Sequence, residues 1–370
     1  MLEFYNGTLE QYRNFVEGKK VFLFGASKLF SYYVTEQRCH ELCDNIYAVI
    51  DNDLSKKDSI YHVGTNKWLI HDNEFMKNEI DHNSVILIAT RFYVDIVEQL
   101  EKEIKYNGIA CFILPFMNIP ILPKRIEKSS LGELIPRKIH YCWFGKGKKS
   151  ALGEACINSW KKNCPDYEII EWNEDNYDID KYRYVKQAYE NKQWAFVSDV
   201  ARLDIIYEHG GIYVDTDVEI LRNIDELLCQ KAFMAFHGKQ VNTGLGFGAV
   251  KELPIMKILL DDYVKREFVK SDGSFDKTIC PVIQTSTLEK MGLIANGEFQ
   301  QVGDLVVYPD DYFAGIIGKY GRNIPTAWGY MHHHFEGTWN KQNVVRVNKI
   351  IKRNEEFGQR FESLCHYAGL

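Results

Sequence analysis

The chain is short of the features that would staple or anchor it. Its nine cysteines (39, 43, 111, 142, 156, 164, 229, 280, 365) are scattered, odd in number and free of any C-x-x-C pair. That pattern argues against a disulfide frame and a zinc site and for reduced thiols. No apolar run approaches the ~18 residues that a membrane span requires. The stretch Met1-Leu2-Glu3-Phe4-Tyr5-Asn6-Gly7 lacks both a basic and an apolar leader region, so a cytoplasmic location is expected. Positive charge is also scarce: 45 Lys and Arg against 51 Asp and Glu leave a net charge of -6, which disfavours a nucleic-acid partner. Proline is sparse too, and four of the nine (115, 120, 123, 136) fall within one stretch of chain, the composition of a linker.

At 370 residues with 45% hydrophobic and 26% charged content, the chain has material for two ordinary globular domains. The expected division is residues 1–117, a linker at 118–134, and a second domain at 135–370. Residues 19–114 alternate strands (20–24, 46–50, 84–89, 109–114) with helices (27–43, 94–106), which predicts an α/β domain on a parallel, Rossmann-like sheet. Gly25-Ala26-Ser27-Lys28 stands where a dinucleotide fingerprint would stand, and Asp51 ends the second strand. Only the first glycine of that fingerprint is present, so a degenerate nucleotide module is the favoured reading. In the second domain, strands at 137–143 and 167–172 flank a helix at 153–162.

The richest segment is Gly210-Gly211-Ile212-Tyr213-Val214-Asp215-Thr216-Asp217. Carboxylates at i and i+2 of an extended chain share a side. Placed past the carboxyl edge of a sheet, they suit Mg²⁺ or Mn²⁺ escorting a phosphate. Asp-x-Asp also occurs in plain surface turns, with solvated carboxylates. The preceding helix, 196–209, raises the functional reading: it carries Asp199 and Arg202 three apart on one face, either as a local ion pair or as joint contacts to a polyhydroxylated, phosphorylated ligand. Trp143, at a strand end beside the basic loop 146–149, either stacks on a nucleobase or is a core aromatic.

Several ordered blocks, Ile135–Gly145, Pro165–Asn173, Trp194–Arg202, Gly210–Asp217, Asn242–Ala249, Pro281–Thr285 and His333–Trp339, resemble glycosyltransferase family 32 over residues 135 to about 340. The resemblance implies a GT-A fold and metal-dependent, retaining transfer of a sugar from a nucleotide donor to a glycan or lipid-linked acceptor, as in surface or capsular polysaccharide synthesis. It sets Trp143 against the base, Asp199 and Arg202 on the donor sugar and ribose side, Asp215 on the ribose or sugar, and Asp217 on the metal with His333 as second ligand. Asn242 falls near the opposite face of the sugar. UDP is preferred as the donor nucleotide, although the family includes GDP-mannose users, and nitrogen ligation favours Mn²⁺ over Mg²⁺.

Of His332, His333 and His334, only alternate members can share a side of a strand. Gln284 either touches the acceptor or caps a helix. Trp339 either closes over the donor or anchors the final helix. The helix expected at 344–364 is amphipathic and basic, which allows contact with an anionic membrane surface. Two competing readings are a catalytically silent nucleotide-sugar binder and a haloacid-dehalogenase-type phosphatase. The phosphatase motif wants Thr or Val where this chain has Glu219.

Overall fold

The computed structural model describes residues 1–337 and 341–367, with side chains described for 1–337 and 345–366. The chain forms two compact units: Met1–Leu122 with Ile317–Arg322 and Val345–Leu370, and Pro123–Ile316 with Asn323–Val344.

The first unit begins with β1 (Glu3–Asn6), α1 (Leu9–Val16), β2 (Lys20–Phe24), α2 (Lys28–Thr35) and β3 (Ile46–Ile50). It continues with β4 (Ile60–Val63), β5 (Asn66–His71), α3 (Asn73–Glu79), β6 (Ser84–Ile88), α4 (Tyr93–Leu100) and β7 (Ala110–Ile113). β2 and β6 are near-continuous buried apolar runs, KVFLF and SVILI, as strands covered on both faces must be. The sheet order β1-β7-β6-β2-β3-β5-β4 reverses between β2 and β6. Every pairing in this stretch is parallel except the β4–β5 hairpin. Side-chain oxygens cap the helices at Thr8, Ser27 and Asp72. The helix expected at 27–43 stops at Thr35, because Arg38 takes a left-handed φ of 59° and redirects the chain into a short 3₁₀ turn at His40–Cys43.

The second unit contains β8 (Lys138–Cys142), α5 (Ala151–Asn163), β9 (Glu168–Trp172), α6 (Arg183–Glu190), α7 (Trp194–His209), β10 (Gly211–Tyr213) and β11 (Val218–Ile220). Next come β12 (Ala232–His237), β13 (Gln240–Val241), β14 (Phe247–Ala249), α8 (Pro254–Val264) and α9 (Cys280–Glu289). β15 (Gln300–Val302), β16 (Leu305–Tyr308), β17 (Ile316–Ile317), of which Ile317 is counted with the first unit, β18 (Asn323–Ile324) and β19 (Met331–His333) complete it. Its sheet runs β15-β16-β12-β14-β10-β8-β9. β9, β8 and β10 are mutually parallel, and β14 is antiparallel to β10. This mixed α/β sheet is the GT-A-like class expected. One core cluster gathers residues of α6, α7, α8 and α9, and a second gathers residues of α5, β11 and β19. α7 is buried nearly all round, including Asp199, Arg202 and Asp204, so its polar groups must find partners inside the protein.

The chain then returns. α10 (Lys341–Leu364), from Val345 onward, and β20 (His366–Tyr367), which pairs parallel with β1, belong to the first unit. The sequence division placed this helix in the second domain. Apolar burial decides otherwise: Phe357 and Phe361 are 6% and 1% exposed and pack edge-on and tilted against Phe4, Tyr93 and Phe116. Arg353 pairs with Asp95 and Glu98, and Arg360 with Glu101. Ile351, Phe357 and Phe361 of the helix's apolar face are thus buried in protein, whereas Val347 and Leu364 stay exposed.

Candidate functional site

The glycine pair before β10 is required twice over. Gly210 caps α7 at φ 63°, and Gly211 follows at φ 107°, a region that costs a β-carbon dearly. Space forbids one as well: a Cβ on Gly210 would lie 2.9 Å from the Lys251 amide nitrogen, and one on Gly211 would lie 2.8 Å from His140 Nε2. β10 can therefore run centrally between β8 and β14 and deliver Asp215 and Asp217 at its carboxyl end, where α/β sheets present ligands.

β11 then pairs antiparallel with β19 in a register that sets Val218 against His333. This register brings a residue from far along the chain to the Asp-x-Asp turn. Among the described residues, one group of three or more His, Cys, Asp or Glu side chains comes close enough to share an ion: Asp215, Asp217 and His333, with ligand atoms within 4.8 Å of one another. Two carboxylates and an imidazole suit a hard to borderline divalent cation. Asp217 is held from the same strand side: its Oδ2 accepts the Glu336 amide at 2.9 Å, its carbonyl accepts the His334 amide, and His333 Nε2 faces Oδ1 at 3.5 Å. His332 and His334 point the other way. Their rings meet at 4.6 Å, and His334 Nε2 lies 3.2 Å from Glu219. Burial pushes His332 down to about 4, keeping it neutral.

Behind the turn lies a buried charge relay. Arg202 bonds Asp199 at 2.8 Å and reaches Asp215 at 3.5 Å, and Tyr213 donates its hydroxyl hydrogen to Asp215 Oδ1 at 3.0 Å. Arg202 also lies over the Tyr213 ring, 5.1 Å from its centroid. Burial raises Asp215, and burial pushes Asp199 up to about 6 against the opposing pull of Arg202. A guanidinium shared by two acids opposes the upward push of burial on both and fixes Asp215 in orientation.

Asn242 opens a 3₁₀ turn in which its Oδ1 accepts the Gly244 amide at 2.9 Å. A Cβ on Gly244 would stand 2.7 Å from Asp215 Oδ2, 3.1 Å from Asn242 Oδ1 and 3.3 Å from Arg202 Nη1. The turn thus sets Gly244 and the Asn242 amide oxygen beside Asp215, where a larger residue at 244 would push the acid or Arg202 aside. Gln284 is fully buried and braces the turn by donating to Thr243 Oγ1 at 2.9 Å. It stands behind the site and is not exposed to an acceptor.

Trp143 is half-buried at the end of β8. Its Nε1 donates to the Gly147 carbonyl at 2.7 Å, and Lys149 Nζ lies 5.5 Å from its ring centroid. Lys149 of the basic loop is committed to Glu171 at 2.7 Å. Trp339 lies outside the described residues. The residues not anticipated from sequence are Tyr213, Gly244 and Glu336. Tyr213 was legible in principle, since it stands two before Asp215 and so shares its side. The other two depend on a turn closing and a strand pairing over long range.

Residues 152–234, which span α5 to β12 and include Asp199, Arg202, Asp215 and Asp217, match the family model described as a glycosyltransferase sugar-binding region containing a DXD motif. Inositol phosphoceramide mannosyltransferase 3 of Schizosaccharomyces pombe is 30% identical over 114 residues, 29% of this chain and 31% of that one. Inositol phosphoceramide mannosyltransferase 2 of the same organism is 28% identical over 162 residues, 40% of this chain and 44% of that one. The chain thus spans less than half the length of these two relatives. Among solved structures, the PaToxG glycosyltransferase is 18% identical with a TM-score of 0.35, covering 44% of this chain and 70% of that one. A glycosyltransferase involved in glycosylation of the major capsid of PBCV-1 is 11% identical with a TM-score of 0.31, covering 59% and 98%. The matched segment is thus similar to the DXD-containing glycosyltransferase sugar-binding region and includes Asp215-Thr216-Asp217.

Proposed function

We propose that the protein transfers a sugar from a nucleotide-sugar donor to a glycan or lipid-linked acceptor, with retention of configuration and dependence on a divalent cation, Mn²⁺ or Mg²⁺. The observation that carries this reading is the convergence of Asp215, Asp217 and His333 at the carboxyl edge of the second sheet, inside the segment that matches the sugar-binding region. Asp215 and Asp217 would hold the cation, with His333 lining the same place. When bound, the cation would neutralise charge on the departing nucleoside diphosphate, an effect worth several kcal/mol.

The remaining work falls to the chain's own groups. Arg202, buried between Asp199 and Asp215, orients the acid pair and meets donor oxygens. Asn242 offers an amide beside the acids, and Trp143 a flat face for the base. Retention requires either a free carboxylate nucleophile or departure and attack on one face. Each acid here is engaged: Asp199 with Arg202, Asp215 with Tyr213 and Arg202, Asp217 with the Glu336 amide. This supports same-face transfer.

Both relatives' names specify a mannosyltransferase acting on inositol phosphoceramide. Mannose therefore joins the UDP-hexoses as a donor sugar to test, and a lipid headgroup joins polysaccharide as an acceptor. A location at the inner face of a membrane belongs to this proposal. It rests on exposed groups of α10, the basic Arg346, Lys349 and Lys352 beside the apolar Val345 and Val347, because Ile351, Phe357 and Phe361 are buried.

The test is release of nucleoside diphosphate from UDP-sugars and GDP-mannose with Mn²⁺, in the wild type and in Asp217→Asn. The variant is expected to lose about 10²–10³-fold in turnover, the scale of one removed electrostatic stabiliser. Undiminished release would end the proposal.

A further inference from the structure

His333 and the residue two beyond it are joined in an unusual way. Phe335 has a left-handed backbone, φ 52°, a conformation that bulky side chains rarely adopt and that is strained. Its ring is fixed by contact with His333 at 4.1 Å and His237 at 4.7 Å between centroids. The following residue is fixed as well: the Glu336 amide donates to Asp217, and its carboxylate accepts from Ser150 Oγ at 3.2 Å. In this held conformation the Phe335 amide donates to His333 Nδ1 at 2.9 Å.

The direction of that bond decides what the imidazole can do. A backbone N–H only donates, so Nδ1 supplies a lone pair and carries no hydrogen. In a neutral ring the hydrogen then sits on Nε2, the atom that faces Asp217 Oδ1. A histidine that ligates a metal through one nitrogen normally carries hydrogen on the other and donates it to an acceptor. His333 is met there by a donor instead.

We infer that His333 is a positioning residue. It presents Nε2–H to Asp217 and leaves the cation to the two carboxylates, and the strained Phe335 backbone selects that tautomer. This rests on the reading of Asp215 and Asp217 as the cation site, and it departs from the sequence expectation that His333 is a metal ligand.

Two measurements test it. Long-range ¹⁵N–¹H NMR on metal-free protein labelled in histidine nitrogen is expected to show His333 with hydrogen on Nε2 and none on Nδ1. The same pattern is expected in Phe335→Gly, which keeps the amide and tolerates the left-handed backbone. Hydrogen on Nδ1 in the wild type would overturn the assignment. With Mn²⁺ bound, electron spin-echo modulation is expected to show no directly coordinated imidazole nitrogen, and His333→Ala is expected to weaken Mn²⁺ binding by about 10–100-fold, as loss of an outer partner does. A coordinated imidazole that disappears in His333→Ala, or a loss as complete as that in Asp217→Asn, would overturn it. Failure of the wild type to bind Mn²⁺ at all would defeat the cation reading itself, and the tautomer in metal-free protein would still decide the role of His333.

Discussion

Both units carry an aspartate at the carboxyl edge of a sheet with parallel strands, beside a glycine turn, and the two aspartates are used in opposite ways. In the first unit, Asp51 ends β3 next to the point where the strand order reverses. Its Oδ2 accepts the Ala26 amide at 3.1 Å and Lys56 Nζ at 2.9 Å, and its Oδ1 accepts the Asp53 amide at 2.9 Å. The chain's own carboxylate thus takes the amide of the β2–α2 turn, the kind of donor that elsewhere meets a phosphate. In the second unit, Asp215 and Asp217 are held from behind by Tyr213, Arg202 and the Glu336 amide, yet converge with His333 on one shared place. Location at a sheet edge does not make a site; acids supported from behind and left to face each other do.

The largest effect that would break this contrast lies behind the second site. Asp199→Ala would leave Arg202 buried with Asp215 as its remaining charged partner, and is expected to cost about 3–5 kcal/mol of stability by denaturant unfolding, the range for a buried pair stripped of one member. A loss under about 1 kcal/mol would show that the relay is not structural. Asp51→Asn is expected to cost less, about 1–3 kcal/mol, because one charge-assisted acceptor is weakened in a partly exposed place. Its turnover with donor should stay that of the wild type.

The smallest effect is in pH. Burial holds Asp199 at about 6 in the folded protein, against about 3.9 for an unfolded chain. A carboxyl raised on folding adds stability below the unfolded value, and that contribution is lost as pH rises through about 6. Relative to Asp199→Asn, the wild type should therefore lose stability between about pH 4 and pH 6. Turnover should climb over the same window as the Arg202 ion pair forms. A flat difference between the two proteins across that window would contradict the burial argument.

Much of this contrast was legible in the sequence. Strands β2 and β3 fall at the expected residues, because short apolar runs bounded by glycine or aspartate leave little else to form. The missing glycines at 25–30 mark the first turn as a departure from the dinucleotide fingerprint, and the spacing of Asp215 and Asp217 sets both acids on one side. Alternation along a strand separated His333 from His332 and His334. What stayed hidden depends on long-range pairing. Nothing local in Phe357 or Phe361 says that they pack with Phe4 and Phe116 and not with the second unit. The role of Gly244 exists only once its turn meets Asp215. The hydrogen on His333 depends on a backbone angle at Phe335 that composition does not announce.

The central claim, that the second sheet's acids bind the donor's diphosphate through a divalent cation while the first sheet's turn is closed by its own aspartate, is tested most directly by calorimetric titration. UDP and GDP, each with Mn²⁺, would be titrated into the wild type, Asp217→Asn and Asp51→Asn. Binding of at least one nucleotide in the wild type and in Asp51→Asn, lost in Asp217→Asn, is the predicted result. Binding retained in Asp217→Asn and lost in Asp51→Asn would contradict it.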